Sequence, residues 1–209
     1  MRPPKPRLSK LLPFALALVG TLAFALPASA AEVGKPAPGF DGTDSHGKKH
    51  TLADYKGKWL VLEWLNHGCP YVRKHYDAKN MQALQAKWTD KGVAWLSVIS
   101  SAEGKQGYST PDKANEDVKA NAAKPTAVLL DPKGVIGKAY DAKTTPHMVI
   151  INPEGVVVYD GAIDSIRSAD QDDIAKATPY VDKALEAGLA GKAIDPNQTT
   201  PYGCSVKYP

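Results

Sequence analysis

KWLVLEWLNHGCPYVRKH, residues 58–75, changes character in its middle, and that change decides the fold. From Lys58 to Asn66 apolar residues dominate with no polar face, the pattern of a strand covered on both sides of its sheet. Glu63 is the exception, a carboxyl set among Leu62, Trp64 and Leu65. Pro70 then stands where a helix can begin, because proline lacks an N–H that the first helical turn would leave unpaired anyway. Cys69 is thereby the residue at the helix cap, with free backbone N–H groups and the positive end of the helix dipole directed at its sulfur. Such a setting favours the thiolate and can lower a cysteine pKa from about 8.5 into the range ~3.5 to 7.5. An inert buried thiol is the competing reading, since free cysteines are among the most buried residues.

Outward from this step, strands and helices alternate. The amphipathic pattern from Pro70 to Lys91 predicts one long helix, and VAWLSVIS from Val93 to Ser100 predicts a second buried strand. A helix around Asp112 to Ala123, a short strand over Thr126 to Asp131 and a short helix over Val135 to Ala142 follow. His147 to Ile151 and Gly155 to Tyr159 predict paired strands about the turn Asn152-Pro153-Glu154-Gly155. A last helix is expected over Ala175 to Leu189, ahead of a tail containing Pro and Gly that ends GCSVKYP. The order βαβ and then αββα implies an α/β domain whose mixed sheet is flanked by helices.

The amino terminus has a different logic. Arg2, Lys5, Arg7 and Lys10 precede an apolar run from Leu11 to Pro27 that closes on Ala28-Ser29-Ala30. Basic segment, apolar segment and small-residue site in that order read as a secretory signal, cleaved after Ala30. A membrane anchor is the alternative, but Pro13, Gly20 and Pro27 interrupt the run, which falls short of the ~20 apolar residues of a span. Cleavage leaves residues 31–209 as one domain and removes four positive charges, taking the formal +4 to about zero. The basic balance therefore belongs to the signal, and no nucleic-acid or anionic-membrane partner is implied. A cleaved signal implies a periplasmic or secreted protein with no stable membrane span.

Two cysteines are present, Cys69 and Cys204. Neither belongs to a C-x-x-C, because Val72 stands where the second thiol would be, and the spacing of a metal cluster is absent. In an exported chain a structural disulfide is the plainest use of such a pair.

The same residues carry a family resemblance. LEWLNHGCP from Leu62 resembles the active-site strand and turn of the thioredoxin superfamily, and Thr145-Pro146 resembles its cis-proline loop. More narrowly, CPYVRKH from Cys69, AYDAKTTPH from Ala139, VYDGAID from Val158 and GCSVKY from Gly203 resemble, in order, the peroxiredoxin-like redoxins of the AhpC/TSA group. The similarity runs from about Val33 to the carboxyl terminus. It implies a thioredoxin-like fold, with Cys69 as the redox thiol and Pro146 as a cis proline beside it. It also implies a proton-moving role for Glu63, six residues before Cys69. A carboxyl in an apolar strand has its pKa raised unless it is paired, which suits acid-base work. A structural partner for a buried lysine or backbone N–H is the alternative. The resemblance further sets Cys204 on a tail that folds back, and the pair is expected to bond on oxidation, either in a resolving step or as a staple.

Departures from the peroxiredoxin pattern stand beside the matches. Leu62 and Asn66 occupy positions where peroxiredoxins carry a proline and a threonine or serine, although the Asn66 amide can still donate a hydrogen bond. Arg73 is the nearer in sequence of the two arginines of the mature chain, the other being Arg167, and is the candidate to face the thiolate; a solvated helix charge is its other reading. Thr144 stands where many members carry a further cysteine. His147 is read as a satisfied histidine ahead of a neighbour tuning Cys69, and His67 and His75 as structural.

The expected activity is that of an exported thiol oxidoreductase, with Cys69 attacking a disulfide or hydroperoxide and Cys204 or an external thiol resolving the product. Asn66, Thr145 and Arg73 are the substrate-binding candidates, and Cys69, Cys204, Glu63 and Pro146 the catalytic ones. The implied partner is an external thiol or thioredoxin-type reductant, with no cofactor and no metal. A non-catalytic binding or assembly protein stapled by a Cys69 to Cys204 disulfide is the alternative. Copper handling by Cys69, His147 and Met148 is the weakest reading.

Overall fold

The computed structural model describes residue 1 and residues 30–209, and the signal-peptide expectation falls on residues 2–29, outside the described residues. The domain opens on a hairpin, β1 (Asp41–Asp44) and β2 (Lys49–Thr51), that no apolar alternation announces. Asp44 holds it together: Oδ1 accepts the N–H groups of His46 (2.8 Å) and Lys48 (2.9 Å), and Oδ2 meets His50 Nε2 at 2.9 Å. Next come β3 (Leu60–Trp64), buried at every position, and two helices, α1 (Pro70–Asp77) and α2 (Asn80–Thr89). β4 (Ala94–Ile99), α3 (Pro111–Asn121), β5 (Ala127–Leu130) and α4 (Val135–Ala139) follow. The second half runs β6 (Thr144–Thr145), β7 (His147–Ile151), β8 (Val157–Gly161), α5 (Tyr180–Leu189) and β9 (Cys204–Ser205).

The main sheet has the order β2-β1-β5-β4-β3-β7-β8, and β6 pairs only with β9. β3, β4 and β5 are mutually parallel, while β7 runs antiparallel to β3 and β1 antiparallel to β5. This is the mixed sheet with flanking helices that the element order implies. β3 lies inside the sheet between β4 and β7, and its alternate side chains serve two cores. Leu60, Leu62 and Trp64 pack with Leu96, Val98, Tyr140 and Val149, whereas Val61 and Leu65 pack with Val72, Tyr76, Trp95 and Ile150. Each such side chain taken fully out of water stabilises the fold by roughly 1.5 to 3 kcal/mol, so β3 anchors both layers.

Two boundaries differ from the sequence expectation. The single helix expected from Pro70 to Lys91 is broken at Ala78 and Lys79, where Lys79 takes a left-handed conformation (φ 60°). The break persists because side chains replace the lost helical bonds: Gln82 Nε2 donates to Tyr76 O and to Asn121 O, both at 2.9 Å, and Asn80 Nδ2 bonds His75 Nδ1 at 2.9 Å. The last helix starts at Tyr180 rather than Ala175, with a separate 3-10 turn over Gln171–Lys176. Pro179 caps α5, and the clash of a proline ring with the residue before it keeps Thr178 out of the helix.

Beyond α5 the chain returns across the molecule as a strap. The Asp160 N–H donates to Asn197 O (3.1 Å) and the Thr199 N–H to Asp160 O (3.0 Å), along the edge of β8. Past β9, the Val206 N–H donates to Lys143 O (3.0 Å), the Ala102 N–H to Lys207 O (2.8 Å) and the Tyr208 hydroxyl to Ala142 O (2.7 Å). Among the described residues no helix is long and apolar enough to cross a membrane.

Candidate active site at the start of the first helix

The turn between β3 and α1 folds on its own side chains. Asn66 Oδ1 accepts the Gly68 N–H at 2.9 Å, the Asn66 carbonyl accepts the Cys69 N–H at 2.9 Å, and Gln106 Nε2 closes on Gly68 O at 3.1 Å. Cys69 then caps α1 in an extended conformation (φ −86°, ψ 125°) with Pro70 in the first turn, as the sequence reading requires. The thiol is fully buried, and its S–H donates to Thr145 O at 3.1 Å. The Thr145–Pro146 peptide bond is cis, and both residues are buried.

The strap brings the second cysteine to the first. β9 pairs antiparallel with β6, setting Thr145 opposite Cys204, and the Cys204 N–H donates to Cys69 Sγ at 3.3 Å. Both cysteines are free thiols in this structure. Burial pushes the Cys69 pKa up, but the Cys204 thiol, the N–H groups of Val72 and Cys204 and the Thr145 side chain outweigh it, so the net shift is below the ordinary thiol value. Cys204 moves the opposite way, to about 11, through burial and contact with the Cys69 sulfur. The two thiols are thereby moved apart, Cys69 toward easier and Cys204 toward harder ionisation.

Glu63 is fully buried on the α1 side of the sheet. Oε1 accepts from the Tyr76 hydroxyl (2.8 Å), and Oε2 from Trp95 Nε1 (2.8 Å), Gln85 Nε2 (3.0 Å) and Ser97 Oγ (3.0 Å). Its partners are thus four side-chain donors, neither a lysine nor a backbone N–H. Desolvation raises its pKa, against the pull of those donors.

Arg73 does not face the sulfur. It points outward from α1, where Nη2 and Nε bond Asp77 Oδ2 at 3.0 and 3.2 Å, because Asp77 lies one helical turn ahead on the same exposed face. His147 has both ring nitrogens engaged: Nδ1 accepts the Lys143 N–H at 3.2 Å, so Nε2 carries the proton and donates to Asp160 at 2.6 Å. That matches the satisfied-histidine reading and leaves no nitrogen free for copper. His67 lies edge-on to Tyr76 at 4.9 Å, and burial lowers its pKa. His75 is buried inside α1.

Three residues near the site are invisible to sequence reasoning: Lys74, Asp164 and Tyr202, which meet in a buried cluster between α1 and the strap. The available signals are slight. Tyr202 stands directly before Gly203-Cys204, and Asp164 ends the VYDGAID stretch.

Comparison with known proteins bears on the fold and the family. Thiol-disulfide oxidoreductase ResA from Bacillus thuringiensis subsp. konkukian is 28% identical over 148 residues, covering 71% of this chain and 80% of that protein. The structure of an uncharacterized conserved protein from Geobacillus kaustophilus superposes with a TM-score of 0.74 at 26% identity, over 85% of this chain and 93% of that one. The thioredoxin domain of a thiol-disulfide oxidoreductase from Bacteroides vulgatus gives a TM-score of 0.50 at 21% identity, over 70% and 97% of the two chains. The fold is therefore thioredoxin-like. The AhpC/TSA family profile matches residues 33–160, more than half of the chain, and the protein belongs to the AhpC/TSA family.

Proposed function

We propose that the protein is an exported thiol-disulfide oxidoreductase in which Cys69 is the attacking thiolate and Cys204 the resolving thiol. The observation that carries this reading is the Cys204 N–H on the sulfur of Cys69 at 3.3 Å, with Cys204 set opposite Thr145 beside the same sulfur. The Cys69 thiolate attacks one sulfur of a substrate disulfide; a mixed disulfide forms, the substrate S–S bond breaks, and one substrate thiolate leaves and takes up a proton. Cys204 then loses its proton and attacks the Cys69 sulfur. The Cys69 to Cys204 bond forms, and the second substrate thiolate leaves with the proton that Cys204 gave up. Two protein thiols are oxidised and one disulfide is reduced to two thiols. An external thiol or a thioredoxin-type protein reverses the sequence and restores the pair. Glu63, whose burial raises its pKa, is the proposed proton-handling carboxyl, and the cis Thr145-Pro146 loop is the proposed seat for the substrate chain.

Reduction of hydroperoxides fits the site less well. Asn66 supplies no hydroxyl, only an amide whose Nδ2 is buried without a partner among the described residues, and Arg73 bonds Asp77 rather than the thiol. Export rests on the pattern of residues 1–30, with a mature domain from Ala31 to the carboxyl terminus. The test is to treat the reduced, secreted protein with a small disulfide and to follow it by intact mass and non-reducing peptide mapping. Loss of two hydrogens with a linked Cys69–Cys204 peptide pair is expected, on a chain starting at Ala31. Cys69 left unmodified by excess disulfide overturns the reading.

A further inference from the structure

The strap carrying Cys204 is fastened to α1 by a buried cluster of charge. Lys74, five residues after Cys69, has a fully buried side chain whose Nζ donates to Asp164 Oδ2 at 3.1 Å and to Ile166 O at 3.0 Å. Asp164 Oδ1 accepts the Ile166 N–H at 3.1 Å and also the hydroxyl of Tyr202, two residues before Cys204. The Tyr202 ring packs edge-on against Tyr71 with centroids 5.8 Å apart, and Lys74 Nζ lies 5.8 Å from the Tyr202 ring centroid. A buried ion pair adds little net stability compared with apolar packing, and its best-attested use is to specify one geometry. Here the geometry specified is the height of the strap over the start of α1.

We propose that Tyr202, Asp164 and Lys74 form a detachable latch: Tyr202 is a positioning residue that holds Cys204 on Cys69 and keeps Cys69 closed to substrate until the strap lifts. The inference rests on the thiol-exchange reading for its catalytic half only. Cys69 is fully buried with the Cys204 N–H against it, so a disulfide reaches the sulfur only when this segment moves. The latch can release without leaving a buried charge unpaired. When the Tyr202 hydroxyl departs to water, Asp164 keeps Lys74 and the Ile166 N–H, and Lys74 keeps Asp164 and Ile166 O. β9 is only two residues long, so lifting Cys204 breaks little sheet, while the bonds of Val206, Lys207 and Tyr208 keep the end of the strap fastened as it moves. The same hydroxyl brings the strap back for the step in which Cys204 attacks the Cys69 sulfur, forming the intramolecular bond and expelling the substrate thiolate.

The latch makes opposite demands on two rates. Tyr202→Phe keeps the ring against Tyr71 and Lys74 and removes the hydroxyl alone. With Cys204→Ser as background, Cys69 is the single thiol, and Tyr202→Phe is expected to speed its alkylation by iodoacetamide on the order of tenfold, as loss of one hydrogen bond to a charged group implies. With both cysteines present, the same substitution is expected to slow closure of the Cys69–Cys204 bond after one equivalent of a small disulfide, read by quenched-flow mass. Near-UV circular dichroism and a thermal melt establish that the variant is folded. If neither rate moves, or both move in the same direction, the latch is overturned and Tyr202 is a packing residue. If the wild type never closes the bond, thiol exchange fails as the function, while the alkylation arm still decides whether the latch exists.

Discussion

The backbone N–H of Cys204 donates to the sulfur of Cys69 at 3.3 Å, joining residues 135 positions apart. The link depends on the short β6 and β9 pair, which sets Cys204 opposite Thr145, whose carbonyl accepts the Cys69 S–H. The N–H of the returning strand favours the sulfur as an anion, against the burial that opposes it.

The two thiols are therefore expected to titrate apart. Alkylation against pH, mapped by peptide, should give Cys69 a midpoint below about 8.5 and Cys204 one well above it. Cys204→Ala removes the neighbouring thiol that helps to lower the Cys69 pKa and is expected to raise the Cys69 midpoint by about one pH unit. A midpoint that stays in place would assign the Cys69 shift to the helix cap alone.

Glu63 makes a prediction in both rate and stability. Its folded pKa is raised, so the folded state holds the proton more tightly than the unfolded chain. That contribution is fully present below the unfolded carboxyl pKa and is lost as pH rises through the folded one. Glu63→Gln keeps the shape and has no such slope, so its urea midpoint should gain on the wild type as pH rises from acid to neutral. Disulfide exchange near neutral pH is expected to slow several-fold in the variant, through loss of the proton-handling group. An unchanged exchange rate would leave Glu63 as an anchor for Tyr76, Gln85, Trp95 and Ser97.

His75 predicts an acid-sensitive fold. Burial lowers its pKa from 6.5 to about 4, with Asp164 opposing the shift and Lys74 adding to it. The unfolded chain takes up a proton below about 6.5 that the folded state refuses until about 4, so stability is full above this window and falls as pH drops through it. The loss can reach about 3 kcal/mol by the lower end of the window. His75→Gln should flatten that slope in urea unfolding; a variant as acid-sensitive as the wild type would assign it to other groups.

The turn at Cys69 was legible because its causes are local: Pro70 can open a helix, and an apolar run such as LVLEW needs no partner to be recognised as a buried strand. What stayed hidden depends on residues distant in the chain. The break after Asp77 exists because Gln82 reaches both Tyr76 O and, across to α3, Asn121 O. The hairpin of β1 and β2 is polar, and its order comes from one buried carboxylate, Asp44. A lysine in an amphipathic helix reads as solvated, and only the return of Asp164, 90 residues later, shows why Lys74 is buried. Arg73 was ambiguous for a smaller reason: either side of α1 was open to it until Asp77 claimed it.

Gly203 tests whether the fit of the strap, rather than the chemistry of its cysteine, sets the reaction. Its φ of 136° favours glycine, and a Cβ there would collide with the Thr145 carbonyl oxygen and stand 3.4 Å from Pro146 N. Those atoms belong to backbone that cannot swing aside, so Gly203→Ala must push the strap off β6. The Cys204 N–H then leaves the Cys69 sulfur, although none of the main sheet is touched, since β9 pairs only with β6. The variant is expected to keep a cooperative melt, with a loss on the order of 1 kcal/mol. Its Cys69 midpoint should rise, and closure of the Cys69–Cys204 bond should slow by at least about tenfold, the equivalent of ~1.4 kcal/mol in the barrier. Gly39→Ala, where a Cβ meets nothing within 4 Å, is the matched control and should leave both values in place. Wild-type closure kinetics in Gly203→Ala would mean that Cys204 finds Cys69 from a free tail, and that the two-strand pairing has no part in resolution.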